Sequence, residues 1–248
     1  MTEGALALHP GLLLIAGGLL LAWLPRMVRA TLGPALALAA LVLAAQMPDG
    51  AFWQTEFLGN ALTLVRSDRL ARLFAIVFAL MAFAGALYAM NQRSRLEVPA
   101  ALVYAGGAIG AVFAGDLITL FVFWEAMALA STLVLWSAGT TAARHAGMRY
   151  VVVHLLGGVL LMCGIAGHVA DTGSVAFEAM AADSPAHWLI LAGFLVNAAA
   201  PPLSAWLPDA YPSASWSGTV FLSAFTTKTA VYVLLRGFAG TELLIYVG

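Results

Sequence analysis

The chain is a succession of apolar stretches, and no other feature constrains its fold as strongly. Most stretches approach the ~20 residues that an α-helix needs to cross the hydrocarbon core of a bilayer. Short polar or Pro/Gly segments separate them, and they cover residues 11–24, 31–47, 70–90, 98–114, 117–137, 146–169, 187–207 and 216–238. We therefore predict an all-α polytopic membrane protein with about eight transmembrane helices.

The composition excludes most other classes of protein. Of the 248 residues, 62% are hydrophobic and only 9% are charged, whereas soluble domains have about 45–50% and about 25%. The net charge of −1 offers no field that would attract nucleic acid. The single cysteine, Cys163, excludes a disulfide framework and a cysteine metal site. No zinc, nucleotide or nucleophile motif is present, so we expect no cofactor, no metal and no enzymatic site.

The distribution of arginines predicts the orientation in the membrane. The connectors after the first, third and fifth stretches carry Arg26, Arg29, Arg93, Arg95 and Arg144, with Arg149 just beyond the last of them. The connectors after the second, fourth and sixth stretches carry mainly acids, although Arg66, Arg69 and Arg72 depart from this pattern. Because arginine-rich connectors stay in the cytoplasm, both termini should lie outside a cell inner (plasma) membrane. Within residues 51–66, Gly59-Asn60 predicts an external β-hairpin.

Two ionisable side chains fall well inside apolar stretches. Glu125 lies in the fifth stretch, and Lys228, the only lysine of the chain, lies near the middle of the eighth. A charge at this depth costs roughly 2.5–3.5 kcal/mol and usually belongs to an ion or proton route. Lysine can release its proton when it is buried, whereas arginine cannot. Proton transfer is therefore favoured, and a structural ion pair between Glu125 and Lys228 is the alternative.

The sixth stretch adds His154 and His168. Neutral histidine can relay protons near pH 7, but a histidine in a membrane helix is equally often a hydrogen-bonded packing group. Both roles are open for His154. For His168, which lies near the outer end of the stretch, the packing role is favoured.

The seventh stretch contains two consecutive prolines, Pro201 and Pro202. Each removes a helical N–H and clashes with the carbonyl four residues earlier, so Pro201 frees the carbonyl of Asn197. Broken helices at membrane depth are found where they line a wet cavity or are buried in protein. We expect such a break here, with the amide of Asn197 in the cavity. A simple kink is the alternative.

Three segments resemble a known family, the antiporter-like proton-conducting membrane subunits. They are GDLITLFVFWEAMALAS (115–131), PPLSAWLPDAYPSA (201–214) and FLSAFTTKTAVYVLLR (221–236). The family includes the large subunits of Mrp-type sodium/proton antiporters and of respiratory complex I. The resemblance runs from about residue 55 to the end of the chain. The first segment is most similar to the D subunit of the Mrp type.

The resemblance implies a proton path built from a glutamate on helix five, a lysine on helix seven and a lysine or histidine on helix eight. Glu125 matches the first position and Lys228 the third. Asn197 stands at the second, so the helix-seven lysine is missing, and His154 or a chain of waters would have to fill the gap. The implied function is proton and monovalent-cation translocation within a multi-subunit cation/proton antiporter. The alternatives are a proton-pumping subunit of a complex I-like oxidoreductase and a scaffold that translocates nothing.

The resemblance also implies an architecture. Family members have about fourteen helices, with two inverted five-helix repeats. Residues 97–248 would form the first repeat, helices four to eight, after an N-terminal three-helix segment with the external hairpin over residues 1–96. The second repeat is absent, and a truncated chain is favoured over a natural half-subunit. The implied partners are other membrane subunits, protons, sodium ions and the lipid bilayer.

Overall fold

A computed structural model describes residues 8–247, which form helices and one β-hairpin. The hairpin strands are β1 (Gly50–Phe57) and β2 (Asn60–Ser67). The helices are α1 (Pro10–Leu21), α2 (Arg26–Gln46), α3 (Arg69–Tyr88), α4 (Glu97–Phe113), α5 (Leu117–Trp136), α6 (Thr141–Thr172), α7 (Pro185–Ala198), α8 (Trp206–Ala210), α9 (Trp216–Ala224), α10 (Thr226–Gly237) and α11 (Leu243–Val247).

Six helical segments of the described chain are long and apolar enough to cross a membrane. They cover residues 26–46, 69–91, 117–136, 141–172, 185–213 and 216–237. The helices α1 and α4 are also apolar, but they have only 12 and 17 residues. The prediction of a helical membrane protein is confirmed. Helix length and composition identify six of the expected eight spans, and the count of eight stays a prediction.

The helices from α1 to α7 pack each against the next, and α10 packs against α7, so that they form one bundle. The two shorter helices, α1 and α4, approach closely because glycines lie at their contact. A Cβ on Gly18 would come within 2.6 Å of the carbonyl oxygen of Pro99. One end of the bundle carries the β-hairpin, and we call it the hairpin end. The opposite end carries the connectors between α1 and α2, α3 and α4, and α5 and α6.

The β-hairpin matches the predicted hairpin, displaced by one residue. Its turn is Leu58-Gly59, with φ of 51° and 77°, and Asn60 is the first residue of β2 rather than a turn residue. Positive φ at both central positions gives a turn whose twist suits a two-residue hairpin. Asp116, just before α5, fixes the hairpin to the bundle, because the backbone N–H of Thr63 donates to its carboxylate at 3.0 Å.

Candidate functional site

Glu125 lies near the middle of α5, and its carboxylate contacts α6. The helix begins at Leu117 because the Asp116 side chain accepts a hydrogen bond from the backbone N–H of Thr119, at 2.7 Å. Glu125 is half-buried, and a Cβ on Gly158 would overlap its carboxylate. In the described part of the chain, nothing donates a hydrogen bond to the buried Oε1 atom. This oxygen can therefore take a proton or a water molecule without breaking an existing bond.

His154 is fully enclosed one turn before Gly158 on α6. Its ring stacks on Tyr150, with centroids 3.9 Å apart, and meets Trp206 edge-on at 4.6 Å. Nδ1 lies 2.8 Å from the carbonyl oxygen of Tyr150. Because a carbonyl only accepts, neutral His154 donates through Nδ1 and keeps a lone pair on Nε2. Among residues 8–247, Nε2 has no hydrogen-bond partner, so it is a free proton acceptor.

Asn197 lies in the last turn of α7 and is buried against α6. Its Oδ1 would be 3.6 Å from a Cβ on Gly157, and it also finds no hydrogen-bond partner in the described residues. The structure thus brings the expected residues Glu125, His154 and Asn197 to one stretch of α6 around the Gly157-Gly158 pair. Each contributes a buried polar atom that the protein does not satisfy.

The predicted helix break is present at the two prolines. α7 ends at Ala198, and Ala199 adopts the left-handed conformation with φ of 57° before Pro201 and Pro202. The indole N–H of Trp206 donates to the carbonyl of Val196 at 2.9 Å, and the backbone N–H of Ala199 donates to the same carbonyl at 3.2 Å. These two donors complete the hydrogen bonding of Val196 at the end of the helix.

A cavity of about 750 Å³ does adjoin the break, between α7, α10 and α11. Its lining is mainly apolar and includes Leu195, Pro201, Leu234 and Phe238, but not Asn197. The Asn197 side chain does not enter this cavity, because the last turn of α7 directs it at Gly157.

Lys228 lies in the first turn of α10, on the outer face of the described chain. The eighth apolar stretch is interrupted at Phe225, where φ is −116° and ψ is −62°, so that α9 ends at Ala224. Lys228 Nζ donates to the carbonyl of Ser223 at 2.8 Å and to Thr227 Oγ1 at 3.0 Å. The ammonium group thus caps a carbonyl that the end of α9 leaves without a helical donor.

Glu125 and Lys228 do not form an ion pair. The four ion pairs within residues 8–247 involve other side chains. The alternative of a structural Glu125–Lys228 pair is therefore wrong for this chain. The helix break turns Thr226 and Thr229 inward and leaves Lys228 outside.

Sequence reasoning missed a chain of buried hydroxyl groups beside this site. Tyr150 donates to Ser131 Oγ at 3.0 Å, and its oxygen lies 3.4 Å from Thr226 Oγ1. Thr226 is hydrogen-bonded in turn to the hydroxyl of Tyr104. The chain starts at the ring stacked on His154 and reaches α10 two residues before Lys228. The polar run Thr226-Thr227-Lys228-Thr229 within an apolar stretch is the sequence signal that marks one end of this chain.

A second buried carboxylate, also missed, lies at the opposite end of the bundle. Glu97 is completely buried. It accepts hydrogen bonds from Gln92 Nε2 at 3.0 and 3.1 Å, from Ser137 Oγ at 3.0 Å and from Ser215 Oγ at 2.7 Å, and it also contacts Ser217 Oγ. Its oxygens are fully used, in contrast to Glu125. Glu97 therefore ties the starts of α4 and α9 to the end of α5.

His168 has the hydrogen-bonded role that the sequence favoured. Its Nδ1 lies 3.0 Å from Nε2 of His187, and Nδ1 of His187 lies 3.0 Å from the Asp183 carboxylate. This cluster is at the hairpin end and away from Glu125. Nowhere in residues 8–247 do three or more His, Cys, Asp or Glu side chains come together as a metal site.

The family described as "NADH:quinone oxidoreductase/Mrp antiporter, TM" matches residues 114–244. The chain belongs to this family. The matched segment contains every residue of the candidate site, from Glu125 to Lys228. The resemblance to antiporter-like membrane subunits is thereby confirmed, and the chain is a membrane subunit related to those of Mrp antiporters and complex I.

Two relatives represent the two branches of the family. A Deinococcus radiodurans protein named NADH-quinone oxidoreductase subunit N is 28% identical over 243 residues, which are 88% of this chain and 49% of that protein. A Staphylococcus aureus protein named as an antiporter subunit is 28% identical over 193 residues, 74% of this chain and 38% of that protein. The chain spans half or less of the length of these curated relatives.

Solved structures share the fold. A chain of the Mrp complex from Dietzia sp. DQ12-45-1b superposes with a TM-score of 0.75 and 24% identity, over 99% of this chain and 51% of that one. A chain of respiratory complex I from Thermus thermophilus gives a TM-score of 0.77 and 22% identity, over 97% and 55%. At this identity the likeness establishes the fold alone.

Proposed function

We propose that this chain translocates protons in exchange for a monovalent cation, as a plasma-membrane subunit of a multi-subunit cation/proton antiporter. The observation that carries the proposal is the Glu125 carboxylate. It is half-buried in a membrane helix, it forms no ion pair, and its Oε1 has no donor in the described chain. An ionisable group at this depth that is not used to hold the structure together is suited to binding and releasing protons.

The proton path begins at Glu125 and continues to His154. Both groups leave a polar atom unsatisfied, Glu125 against Gly158 and His154 one turn earlier on the same helix, and water between them would connect them. Asn197 supplies an amide to the same water but cannot titrate. The neutral asparagine thus replaces the lysine that the family carries at this position, and the proton-accepting role passes to Nε2 of His154.

The second part of the path runs from His154 to Lys228 through the buried hydroxyls. The Tyr150 hydroxyl lies 3.4 Å from Thr226 Oγ1. Water must carry the proton from His154 Nε2 to this hydroxyl and from Thr226 to Lys228, because no hydrogen bond joins either pair in the described chain. Hydroxyl groups both donate and accept, so they can pass a proton along. Lys228 is the terminal acceptor. Pro201 and Pro202 support the path because they end α7 and allow Trp206 to pack on the His154 ring.

The exposed position of Lys228 leads to a proposal about architecture. A lysine at membrane depth requires protein or water around it, so another subunit or a further segment covers the face of α10. We assign residues 97–248 to the first antiporter-like repeat and residues 1–96 to the N-terminal segment. Counting α1 and α4 as spans gives eight transmembrane helices with both termini outside. This count rests on the arginine pattern and on the apolar character of the two shorter helices.

Two other functions compete with this one. A proton-pumping subunit of a complex I-like oxidoreductase is favoured by the Deinococcus relative, which covers 88% of the chain against 74% for the antiporter relative. A scaffold without translocation is favoured by Asn197 in the place of the family lysine.

The test is proton flux in everted membrane vesicles that contain the complete complex. Glu125→Gln removes the titrating group and keeps the size of the side chain. The matched control is Glu56→Gln, which makes the same change on the exposed face of the hairpin. We expect cation-driven proton flux to be lost in Glu125→Gln and kept in Glu56→Gln, with equal subunit abundance.

The outcomes separate the three functions. Flux driven by added sodium or potassium supports the antiporter, whereas flux driven only by electron transfer to quinone supports the complex I-like subunit. Unchanged flux in Glu125→Gln at normal abundance would leave only the scaffold function.

A further inference from the structure

Four of the ten arginines line a single cavity at the opposite end of the bundle. The cavity has a volume of about 410 Å³ and lies between the α1–α2 connector and the α3–α4 connector. Arg26 and Arg29 come from the first connector and the start of α2, and Arg93 and Arg95 come from the second connector. Nothing in the proposed proton path uses these residues.

Backbone carbonyls hold two of the arginines in place. Arg29 is only 6% exposed, and its Nη1 donates to the carbonyl of Leu24 at 2.7 Å. Arg26 donates through Nη2 to the carbonyl of Asn91 at 2.8 Å, which ties the two connectors together. Carbonyls orient the guanidinium groups but do not neutralise them, so the positive charges that line the cavity are uncompensated.

No acidic side chain of the described chain neutralises this cluster. None of the four ion pairs within residues 8–247 includes any of the four arginines. Glu97 follows Arg95 by two residues, but its carboxylate is already surrounded by Gln92 and serine hydroxyls. Four like charges around one cavity repel one another in the absence of a counter-charge. An anion is the ligand that this arrangement fits.

We propose that the cavity binds the phosphate headgroup of an anionic phospholipid. Guanidinium groups bind phosphate through paired hydrogen bonds. Trp23 lines the cavity and is 89% exposed, and Met27 on the next turn is 83% exposed. Tryptophan at such a position is typical of the membrane–water interface. The headgroup thus lies among the arginines while the acyl chains cover the apolar surface of α1 and α2.

The location favours lipid over phosphate from solution. The α1–α2 connector, which lines the cavity, joins the ends of two apolar helices. The cavity therefore opens at the end of the apolar segments, which is the level where lipid headgroups lie. Basic pockets between membrane helices are a known mode of headgroup recognition. The exposed apolar residues beside the arginines would have no function in binding a free ion.

The test uses the full chain in nanodiscs of phosphatidylcholine, with phosphatidylglycerol titrated in and bound lipid measured by native mass spectrometry. The variant Arg93→Gln/Arg95→Gln removes two exposed members of the cluster. The control Arg69→Gln/Arg144→Gln removes two exposed arginines elsewhere. We expect affinity for phosphatidylglycerol to fall about thirtyfold in the first variant and less than about twofold in the control.

Three results would overturn the proposal. Equal losses in both variants would mean that net charge alone attracts the lipid. If glycerol 3-phosphate displaced bound phosphatidylglycerol as effectively as added phosphatidylglycerol does, the site would take free phosphate. Unchanged lipid retention, together with release of a neighbouring subunit from the purified complex, would mean that the arginines bind acidic side chains of a protein partner.

Discussion

The carboxylate of Glu125 lies against Gly158 on the neighbouring helix, so closely that any side chain at position 158 would overlap it. The absence of a side chain at this position creates the space that a membrane carboxylate needs. The Glu125 carboxylate can lie beside Gly158 without an ion pair, because glycine leaves room for water or a proton to reach Oε1. The same stretch of α6 receives Asn197 and His154.

The variant Gly158→Ala tests this contact. The added methyl group must displace the carboxylate, so we expect proton flux to fall about tenfold or more. Adding Glu125→Asp, which shortens the side chain by one methylene, should restore part of the flux. The control is Gly33→Ala, whose Cβ would meet only a methyl group of Val98, at 3.1 Å. Normal flux in Gly158→Ala would show that the contact has no role in translocation.

The variant Lys228→Arg distinguishes proton transfer from a fixed charge. Arginine keeps the positive charge and the reach to the Ser223 carbonyl, but it does not release its proton. We expect the complex to assemble and proton flux to fail in Lys228→Arg, and we expect flux to fail in Lys228→Ala as well. The measurement is flux in vesicles, normalised to subunit abundance. Near-normal flux in the arginine variant would remove Lys228 from the proton path.

The ion pair of Asp68 with Arg236 predicts a pH dependence of stability. Burial alone would raise the pKa of Asp68, but hydrogen bonds from the backbone N–H of Ala71 and from Arg236, at 2.6 Å, hold this pKa below its usual value. A lowered folded-state pKa means that the pair stabilises the fold above the unfolded pKa of about 4. The contribution is lost as the pH falls through the lowered value.

Thermal unfolding in detergent between pH 7 and pH 3 checks this prediction. Asp68→Asn keeps an N-cap for α3 but removes the charge, so its unfolding temperature should fall less on acidification than that of the wild type. Because Asp68 is 43% exposed, the effect should be modest, within ~1 kcal/mol. The control is Asp49→Asn, which removes the more exposed pair with Arg72. If the unfolding temperature of Asp68→Asn fell with pH as steeply as that of the wild type, the Asp68–Arg236 pair would not be the source of the pH dependence.

Glu97 should matter for stability rather than for proton flux. Glu97→Ala leaves the buried hydroxyl of Ser217 and the half-buried hydroxyl of Ser215 without their carboxylate acceptor. Each stranded group costs ~1–3 kcal/mol, so we expect a large drop in the unfolding temperature. Glu178→Ala, at an exposed position, is the control. A Glu97→Ala protein as stable as this control would show that the cluster does not hold the helix ends together.

Much of the helical architecture could be predicted from the sequence because hydropathy and two strong local signals specify it. The apolar stretches predicted the membrane helices, and Gly59 marked the hairpin. Pro201 and Pro202 marked the end of α7 because proline lacks an N–H. Glu125 was conspicuous because a carboxylate is costly in an apolar helix.

The remaining features depend on packing between distant segments. The break at Phe225 has no proline or glycine to mark it. The inward direction of Asn197 and the outward direction of Lys228 follow from how α7 and α10 end and begin. In the sequence Glu97 resembles an ordinary connector charge. Its partners Ser137 and Ser215 lie 40 and 118 residues away, so only the folded structure shows that it is buried and hydrogen-bonded.

The central claim is that Glu125 changes its protonation state during turnover. Difference infrared spectroscopy on the complete complex in vesicles measures this change directly, through the C=O stretch of a protonated carboxyl group. Imposing a cation gradient should produce a carboxyl band in the wild type that is absent from Glu125→Gln and unchanged in Glu56→Gln. A band of equal size in Glu125→Gln, or no band in a wild-type complex that transports protons, would contradict the account.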